Sequence, residues 1–506
     1  MATKTEPGRC YLVGAGPGDL GLVTLRARQL IERADVVVYD YLCNPEMLQW
    51  APESAELIYV GKKAGAHTLK QNEINALLVE KARSKQVVRL KGGDPFLFGR
   101  GGEEAQALGA AAIPFEVVPG VTSAIAAPAY AGIPVTHRGL TSHVTFFTGH
   151  EDPEKTESSI DFEALAKIGG TQVMLMGVER IDAIAQKMRE HGVRADLPVA
   201  LVRWGTTGRQ KVLHGTLQSI AQQVADTDFA PPAVAIFGEV VSLGKELAWH
   251  EARPLAGKRI VVTRTRKQAG ALSDQLRNLG AEVIELATIR IEPPSDRRAF
   301  AELVQDAHGY DWIVFTSPNG VTAFFEMFYK LYGDAREIGG ARIAAIGPAT
   351  AQRVRDFHLK VDLQPDEFVA EAVVRAFKKQ GDIENLRILI ARAEEARDLL
   401  PRELGALGAI VDVAAAYRTV AETGDRTEAR SRLVAEGADM ITFTSSSTVE
   451  NFLALGLAWP AGMEVASIGP ITSKTARDRG LTIAVEARRH DIPGLVEAIV
   501  RHFSKS

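Results

Sequence analysis

Cysteine is almost absent. Cys10 and Cys43 are the only two in 506 residues, which excludes a disulfide framework and a cysteine-based zinc site. No apolar run approaches the roughly 18 residues that read as a membrane span. The N-terminal stretch lacks the apolar core of a signal peptide. Positive charge is not in excess either: 59 Lys+Arg stand against 63 Asp+Glu, a formal net charge of -4. No global basic field would hold nucleic acid or an anionic membrane, although a local basic pocket stays open. What is present is ordinary for a globular chain, 46% hydrophobic and 24% charged. That is too apolar for disorder and long enough to bury sizeable cores. A prior of about 150 residues per domain gives three or four compact units. The expectation is a cytoplasmic protein without nucleic-acid or membrane partners.

The first half opens on a short apolar run at 10–13, a GAGPGD turn at 14–19, a helical pattern (Leu22, Leu25, Leu30, Ile31) and a β-branched run at 34–40. Strand, turn, helix, strand is the βαβ reading, and continuously apolar strands predict a parallel sheet covered on both faces. The rhythm repeats at 87–90, 115–118, 144–147, 173–176, 199–202 and 233–237. Near residue 250 the texture turns polar and proline-punctuated, which places a linker at 251–256 between domains at 8–250 and 257–502.

The second half carries an internal repeat. Residues 311–324 (DWIVFTSPNGVTAF) match 439–452 (DMITFTSSSTVENF) at seven of 14 positions, and 343–356 match 465–478 at seven of 14. Chance would give about one match per window, so two similar α/β lobes are predicted.

Chemistry-bearing stretches cluster at strand ends. Glycines in GAGPGD would let a backbone approach a ligand, yet Asp19 replaces the third glycine of a dinucleotide fingerprint and Pro17 stiffens the turn. A tight turn without ligand and a nicotinamide site are the two readings of that motif alone. Residues 88–104 (VRLKGGDPFLFGRGGEE) place five glycines, Lys91, Asp94 and Arg100 beyond a parallel strand, where ligands bind in such sheets. A charged, glycine-rich loop of that length is usually functional. At the next turn Thr122 and Ser123 would cap a helix or hold a ligand. In the second half each repeat puts Thr-Ser at the end of an apolar strand (Thr316, Ser317; Thr444, Ser445). A Gly-Pro turn with Thr350 or Thr472 follows. Helix N-termini of this kind favour carboxylates, and ordinary capping is the alternative. No metal-spaced histidine cluster, nucleophile triad or conspicuous carboxylate pair is found there.

The motifs VGAGPGD (13–19), VVYD (37–40), VGK (60–62), RLKGGDP (89–95), VPGVT (118–122), AGIPVTHR (131–138) and TGH (148–150) follow in order. Together they resemble uroporphyrinogen-III C-methyltransferase, of the tetrapyrrole methylase family. The resemblance implies two α/β subdomains (about 8–138 and 139–250), S-adenosylmethionine as methyl donor folded between them, and a homodimer through this half. It further implies Asp40 as proton acceptor and Lys62 as proton donor. Donor contacts then fall on Pro17, Gly92, Gly93, Asp94, Leu97, Thr122, Ser123, Met176 and Gly205. Leu97, often Ile, and Ser123, often Ala, depart from the common pattern. Arg89, Lys91, Arg100, His137 and Arg138 are candidates for the carboxylates of an acidic macrocycle.

The stretches VVTR (261–264), VFTSPNG (314–320), IGP (346–348), AYR (416–418), FTS (443–445) and IGP (468–470) resemble uroporphyrinogen-III synthase. That implies a two-lobed α/β fold, with one lobe at about 257–290 plus 418–502 and the other at about 291–417. It implies closure of hydroxymethylbilane with inversion of ring D and no cofactor. Tyr417 is the candidate for assisting the departing hydroxyl or orienting ring D. Arg264, with Arg266, would pair substrate carboxylates, and Thr316, Ser317, Thr350, Thr444, Ser445 and Thr472 would line the site. The expected whole is a bifunctional enzyme ending at precorrin-2, on the sirohaem or cobalamin branch, because no stretch resembles a dehydrogenase and ferrochelatase module. The competing reading makes the second half a non-catalytic tetrapyrrole sensor or scaffold.

Overall fold

The structure, a computed structural model, describes residues 8–61, 69–150, 159–227, 229–263, 266–367, 369–396, 398–422 and 424–504, without the side chains of 266–269. Two expected site residues, Lys62 and Arg264, lie outside the described residues, as does the side chain of Arg266.

Every sheet found among the described residues has five strands, and there are four such sheets. The first comprises β1 (Arg9–Gly14), β2 (Val36–Tyr39), β3 (Glu56–Tyr59), β4 (Gln86–Lys91) and β5 (Phe115–Val118), in the order β3-β2-β4-β1-β5. All four pairings are parallel. Val36, Val37 and Val38 are wholly buried, as a strand covered on both faces demands.

The second sheet holds β6 (Val144–Thr148), β7 (Thr171–Leu175), β8 (Pro198–Arg203), β9 (Lys211–Thr216) and β10 (Ala233–Phe237), in the order β6-β7-β10-β8-β9. Here only β6 and β7 run parallel; β10 is antiparallel to β7 and to β8, and β8 to β9. The parallel reading of the apolar strands does not extend to this sheet. The segment between β8 and β9 is too short to carry a crossover helix, so the chain can only return as a hairpin. The helix Ser123–Tyr130 docks this sheet onto the first: Ala124, Ala127 and Ala131 pack with Val173, Ala200, Val202 and Ile236.

The third sheet is β12-β11-β18-β19-β20, formed by β11 (Arg259–Val262), β12 (Glu282–Glu285), β18 (Met440–Phe443), β19 (Glu464–Ser467) and β20 (Ile483–Glu486), all parallel. The fourth is β13-β17-β16-β14-β15, formed by β13 (Ile289–Glu292), β14 (Trp312–Phe315), β15 (Arg342–Ala345), β16 (Arg387–Ala393) and β17 (Ile410–Ala421). Only β13 runs antiparallel in it. The repeat read from sequence is structural: β14 corresponds to β18 and β15 to β19, and the helices Pro318–Leu331 and Ser446–Ala454 begin at equivalent positions. The chain is thus α/β throughout.

The residues divide into two compact units. One is Met1–Thr263, Gln268–Leu286 and Gly424–Ser506, holding the first three sheets; the other is Arg264–Lys267 and Ala287–Thr423, holding the fourth. The core of the second unit is aromatic: Phe315, Phe324, Phe325 and Phe328 are wholly buried and edge-packed. No helix among the described residues is long and apolar enough to cross a membrane.

Candidate functional site

The carboxyl ends of β1, β4 and β5 meet backbone to backbone. Gly16 and Gly93 exchange two hydrogen bonds, Gly93 N–H to the Gly16 carbonyl at 2.7 Å and Gly16 N–H to the Gly93 carbonyl at 3.2 Å. A Cβ on Gly120 would overlap the Gly93 carbonyl oxygen and lie 2.7 Å from the Gly14 Cα, so no side chain fits there. Gly93 sits at φ +67°, and its own Cβ would still have room, with Thr122 Cα and Ser123 N 3.7 Å away.

Asp94 pins this arrangement. Its Oδ1 accepts from the N–H groups of Phe96 (2.8 Å) and Leu97 (3.1 Å), and its Oδ2 accepts from Gly120 N–H (3.0 Å). The loop proper is 92–100, because β4 runs on to Lys91 and a helix, Gly101–Ala110, starts directly after it. Thr122 caps the helix Ser123–Tyr130 by accepting from Ala124 N–H at 3.2 Å.

Contributions from the second sheet come to the same unit. Met176 follows β7 in a left-handed conformation, φ +56°, and is 52% exposed. By sequence it ends an apolar strand and would otherwise be core. The structure turns it outwards, on a left-handed backbone that non-glycine residues adopt infrequently. Gly205 packs on Ala127, between Trp204 (φ +50°) and Thr206 (φ +73°). The Thr206 hydroxyl accepts from Asp19 N–H at 3.2 Å, and the Asp19 carboxylate accepts from Tyr130 OH at 2.7 Å. Asp19, the residue that breaks a dinucleotide fingerprint, is therefore the strut between the two sheets.

Asp40 ends β2. Its Oδ1 accepts from Leu42 N–H at 3.1 Å, and its Oδ2 accepts from Arg89 at 3.1 Å. It is about one-quarter exposed and lines two cavities, one of about 240 Å³ shared with Pro17, Gly18 and Trp204, the other shared with Gly61 and Pro232. The turn after it is anchored elsewhere in the unit: Arg277 pairs with Glu46, and Arg426 donates to the carbonyl oxygens of Ala51 (3.1 Å), Pro52 (3.1 Å) and Glu53 (2.6 Å).

Arg89 and Lys91, candidates for substrate carboxylates by sequence, are committed elsewhere. Both are 4% exposed and already hold a carboxylate of the chain: Glu104 accepts from Lys91 at 2.7 Å and from Arg89 at 3.2 Å. Burial pulls the Arg89 pKa down, but Asp40 and Glu104 push it up further, and the guanidinium stays charged. Burial, then Arg89, depresses Lys91. Sequence reasoning missed Glu104, since an acid in a first helical turn reads as an ordinary dipole partner. Arg100, His137 and Arg138 are exposed, and Arg100 pairs with Glu103 at 2.8 Å.

In the second unit Ser317 caps its helix, accepting from Gly320 N–H at 3.1 Å, and its hydroxyl lies 2.9 Å from the Tyr417 hydroxyl. Tyr417 is 8% exposed, on β17 where the pairing with β16 shifts register. Thr316 donates to the Ala391 carbonyl at 3.4 Å, and Thr350 is buried in the first turn of Pro348–Asp356. Thr444, Ser445 and Thr472 belong to the first unit. There Ser445 and Thr448 form a capping box, and Thr472 is buried in the first turn of Pro470–Asp478. Among the described residues no group of His, Cys, Asp and Glu could hold a metal ion.

One buried base stands apart. His250 is 1% exposed, packed against Tyr130 and Trp249, and neither ring nitrogen has a partner among the described residues. Burial, then Arg253, pushes its pKa down to about 4. The unfolded chain takes up this proton near pH 6.5 and the folded chain only near 4. Stability from neutral His250 is therefore complete above pH 6.5 and declines as pH falls towards 4. Urea midpoints at pH 7 and pH 5 are expected to differ less in His250→Phe than in the wild type.

Family models match this chain half by half. The family model of the tetrapyrrole (corrin/porphyrin) methylases matches residues 9–221, and that of uroporphyrinogen-III synthase HemD matches residues 270–497. Both halves therefore fall in the class of tetrapyrrole-biosynthesis enzymes. The porphyrin biosynthesis protein HemD of Ruminiclostridium josui is 37% identical over 497 residues, 98% of each chain. A uroporphyrinogen-III C-methyltransferase of Bacillus subtilis (strain 168) is 40% identical over 71% of this chain and 74% of its own. The S-adenosyl-L-methionine-dependent uroporphyrinogen III methyltransferase of Methanosarcina barkeri is 57% identical over 47% of this chain and 93% of its own. The crystal structure of uroporphyrin III C-methyl transferase from Thermus thermophilus is 41% identical, covering 47% of this chain and all of its own, with a TM-score of 0.41. The chain belongs to the family in which a tetrapyrrole methylase and a uroporphyrinogen-III synthase share one polypeptide, a bifunctional enzyme of tetrapyrrole biosynthesis.

Proposed function

We propose that the C-terminal half closes hydroxymethylbilane to uroporphyrinogen III, with loss of water and inversion of ring D. The N-terminal half then methylates that product twice to precorrin-2. The observation that carries this is Asp40, a carboxylate held by Arg89 at a strand end, on the wall of a cavity beside the glycine-built strand ends.

The donor site fits S-adenosylmethionine, the donor named for the Methanosarcina barkeri relative. Gly93 leaves room beside Thr122 and Ser123, and Met176 stands exposed against its backbone preference. Pro17, Gly92, Gly93, Asp94, Leu97, Thr122, Ser123, Met176 and Gly205 would hold the donor, with the Asp94 side chain acting through the loop it clamps. When bound, the donor supplies an electrophilic methyl group. The chain's own residues position two reactants, which accounts for much of such a rate enhancement, and they move one proton. Carbon alkylation makes the pyrrole ring cationic, and Asp40 accepts the proton whose loss discharges it. That task needs an ionised carboxylate in place more than a strong base.

In the synthase half, loss of the bilane hydroxyl leaves a reactive cation, so the enzyme's work is to hold the chain with its last ring turned. Tyr417, backed by Ser317, assists the departing hydroxyl, and the capped helix N-termini receive carboxylates. Tyr417→Phe is expected to cost about 1 kcal/mol of stability. It should slow formation of the type III isomer about tenfold or more, read as the ratio of type III to type I uroporphyrinogen by chromatography.

The same reading takes domains at 8–250 and 257–502, a homodimer through the methylase half, the cytoplasm as location and no cofactor for the synthase half. Product analysis of the intact protein given hydroxymethylbilane and S-adenosylmethionine tests both halves at once. Precorrin-2 is expected. Uroporphyrinogen I alone would make the second half a binder only, and unmethylated uroporphyrinogen III would overturn the first assignment.

A further inference from the structure

The most densely charged buried place in the first sheet is not a surface for ligand. Glu104, wholly buried, accepts through Oε1 from Lys91 (2.7 Å), Arg89 (3.2 Å) and Gln71 (3.3 Å). Its Oε2 is buried with no donor among the described residues. Arg89 spans from Glu104 to Asp40, 3.1 Å away, and fixes itself to the Leu90 carbonyl at 2.7 Å. Cys10 and Cys43 complete the surroundings, both thiols kept protonated chiefly by burial, Cys10 at about 12. Two cations and two carboxylates balance while Asp40 is ionised.

Stability alone gives little reason for such a group. Burying charge is costly, a carboxylate oxygen with no donor among the described residues more so, and well-packed apolar residues would serve a fold as well. A reaction does give a reason. When Asp40 takes up a proton it stops balancing Arg89, and a guanidinium buried without a carboxylate would be driven to move. With Glu104 behind it, Arg89 keeps a carboxylate partner throughout and stays where it is.

Resting on Asp40 as the proton acceptor proposed above, we infer that Glu104 is a positioning residue for methyl transfer. It holds Arg89, and through Arg89 the Asp40 carboxylate, in one place whether or not Asp40 carries a proton. It touches neither substrate nor donor.

The test uses the full chain, with methylation of uroporphyrinogen III followed over a series of S-adenosylmethionine concentrations. Glu104→Gln keeps the shape and removes the charge. It is expected to lower kcat about tenfold and to leave the KM for S-adenosylmethionine within twofold. In an Arg89→Gln background the same change should add nothing further, since both act through one contact. If Glu104→Gln does not fold, Arg89→Lys, which keeps the charge and loses the fork, is expected to show the same loss of kcat with the donor KM unchanged. A kcat within twofold of wild type in Glu104→Gln, a donor KM that rises together with the loss of kcat, or an unchanged kcat in Arg89→Lys would overturn the inference. Asp40→Asn, measured alongside, separates the two ideas. If it methylates normally, Asp40 is not the acceptor and both fall. If it is inactive while the Glu104 variant is normal, only the positioning role falls.

Discussion

Asp40→Ala is expected to lower kcat for methylation by about 10²–10⁴, while S-adenosylmethionine binds to the variant as it does to the wild type. The two expectations separate because different elements carry them. The proposed donor region draws on backbone at the ends of β1, β4 and β5 and on Met176 and Gly205, and the hydrogen bonds that hold those strand ends do not involve the Asp40 side chain. Asp40 itself is bonded to Arg89 and to its own turn at Leu42. Isothermal titration with the donor and rapid-quench product analysis measure the two effects. Full methylation by the variant would remove Asp40 as the proton acceptor.

Gly120→Ala is the second large effect, and it acts on the scaffold. The added methyl would overlap the Gly93 carbonyl oxygen and meet Gly14 at 2.7 Å, and these partners are backbone that cannot rotate away. Either β5 moves off β1, or the loop at 92–100 lifts and breaks the Asp94 bond to Gly120. We expect a loss of about 3 kcal/mol or more and a marked fall in donor affinity, checked by urea unfolding and by titration. Gly102→Ala provides the contrast. That glycine lies in the first turn of Gly101–Ala110, and a methyl group there would meet nothing within 4 Å, so a gain of about 0.4–1 kcal/mol is expected.

Much of this architecture was legible in residue order. The β-branched run at 36–38, the glycines at strand ends and the paired Thr-Ser turns map onto strands and helix starts because each rests on a local rule. Side chains alternate or recur with a period, and hydroxyls accept from exposed helix N–H groups. The edge strands β3 and β9 were not seen. Glu56–Tyr59 is only half-buried and Lys211–Thr216 mixes charge, histidine and glycine, so neither shows the continuous apolar run of a central strand. The antiparallel course of β10 was not seen either, since periodicity gives a strand but not its direction.

Within the site, composition misled where pairing through space decides. Arg89 and Lys91 read as free cations because nothing in the order of residues announces that Glu104, on the following helix, turns inward between them. Met176 read as core because an apolar side chain after an apolar strand ordinarily is. Its exposure comes from the left-handed backbone at that one position.

The third sheet has a consequence for synthesis of the chain. Its central strand β11 pairs on one side with β12, a near neighbour, but on the other with β18, where Ile260 lies against Met440. Most of the second unit, Ala287–Thr423, is threaded between those two partners in the chain. Until the last strands leave the ribosome, β11 presents an open flank of unmatched amide and carbonyl groups, the kind of flank that recruits strands from other chains. The methylase sheets, complete by Phe237, can fold earlier in translation, while the synthase sheet must wait until β20 at Ile483–Glu486 has emerged. Nascent-chain release assays should find protease resistance arriving in that order, and any ribosome stall between 290 and 440 should produce aggregates seeded at this flank.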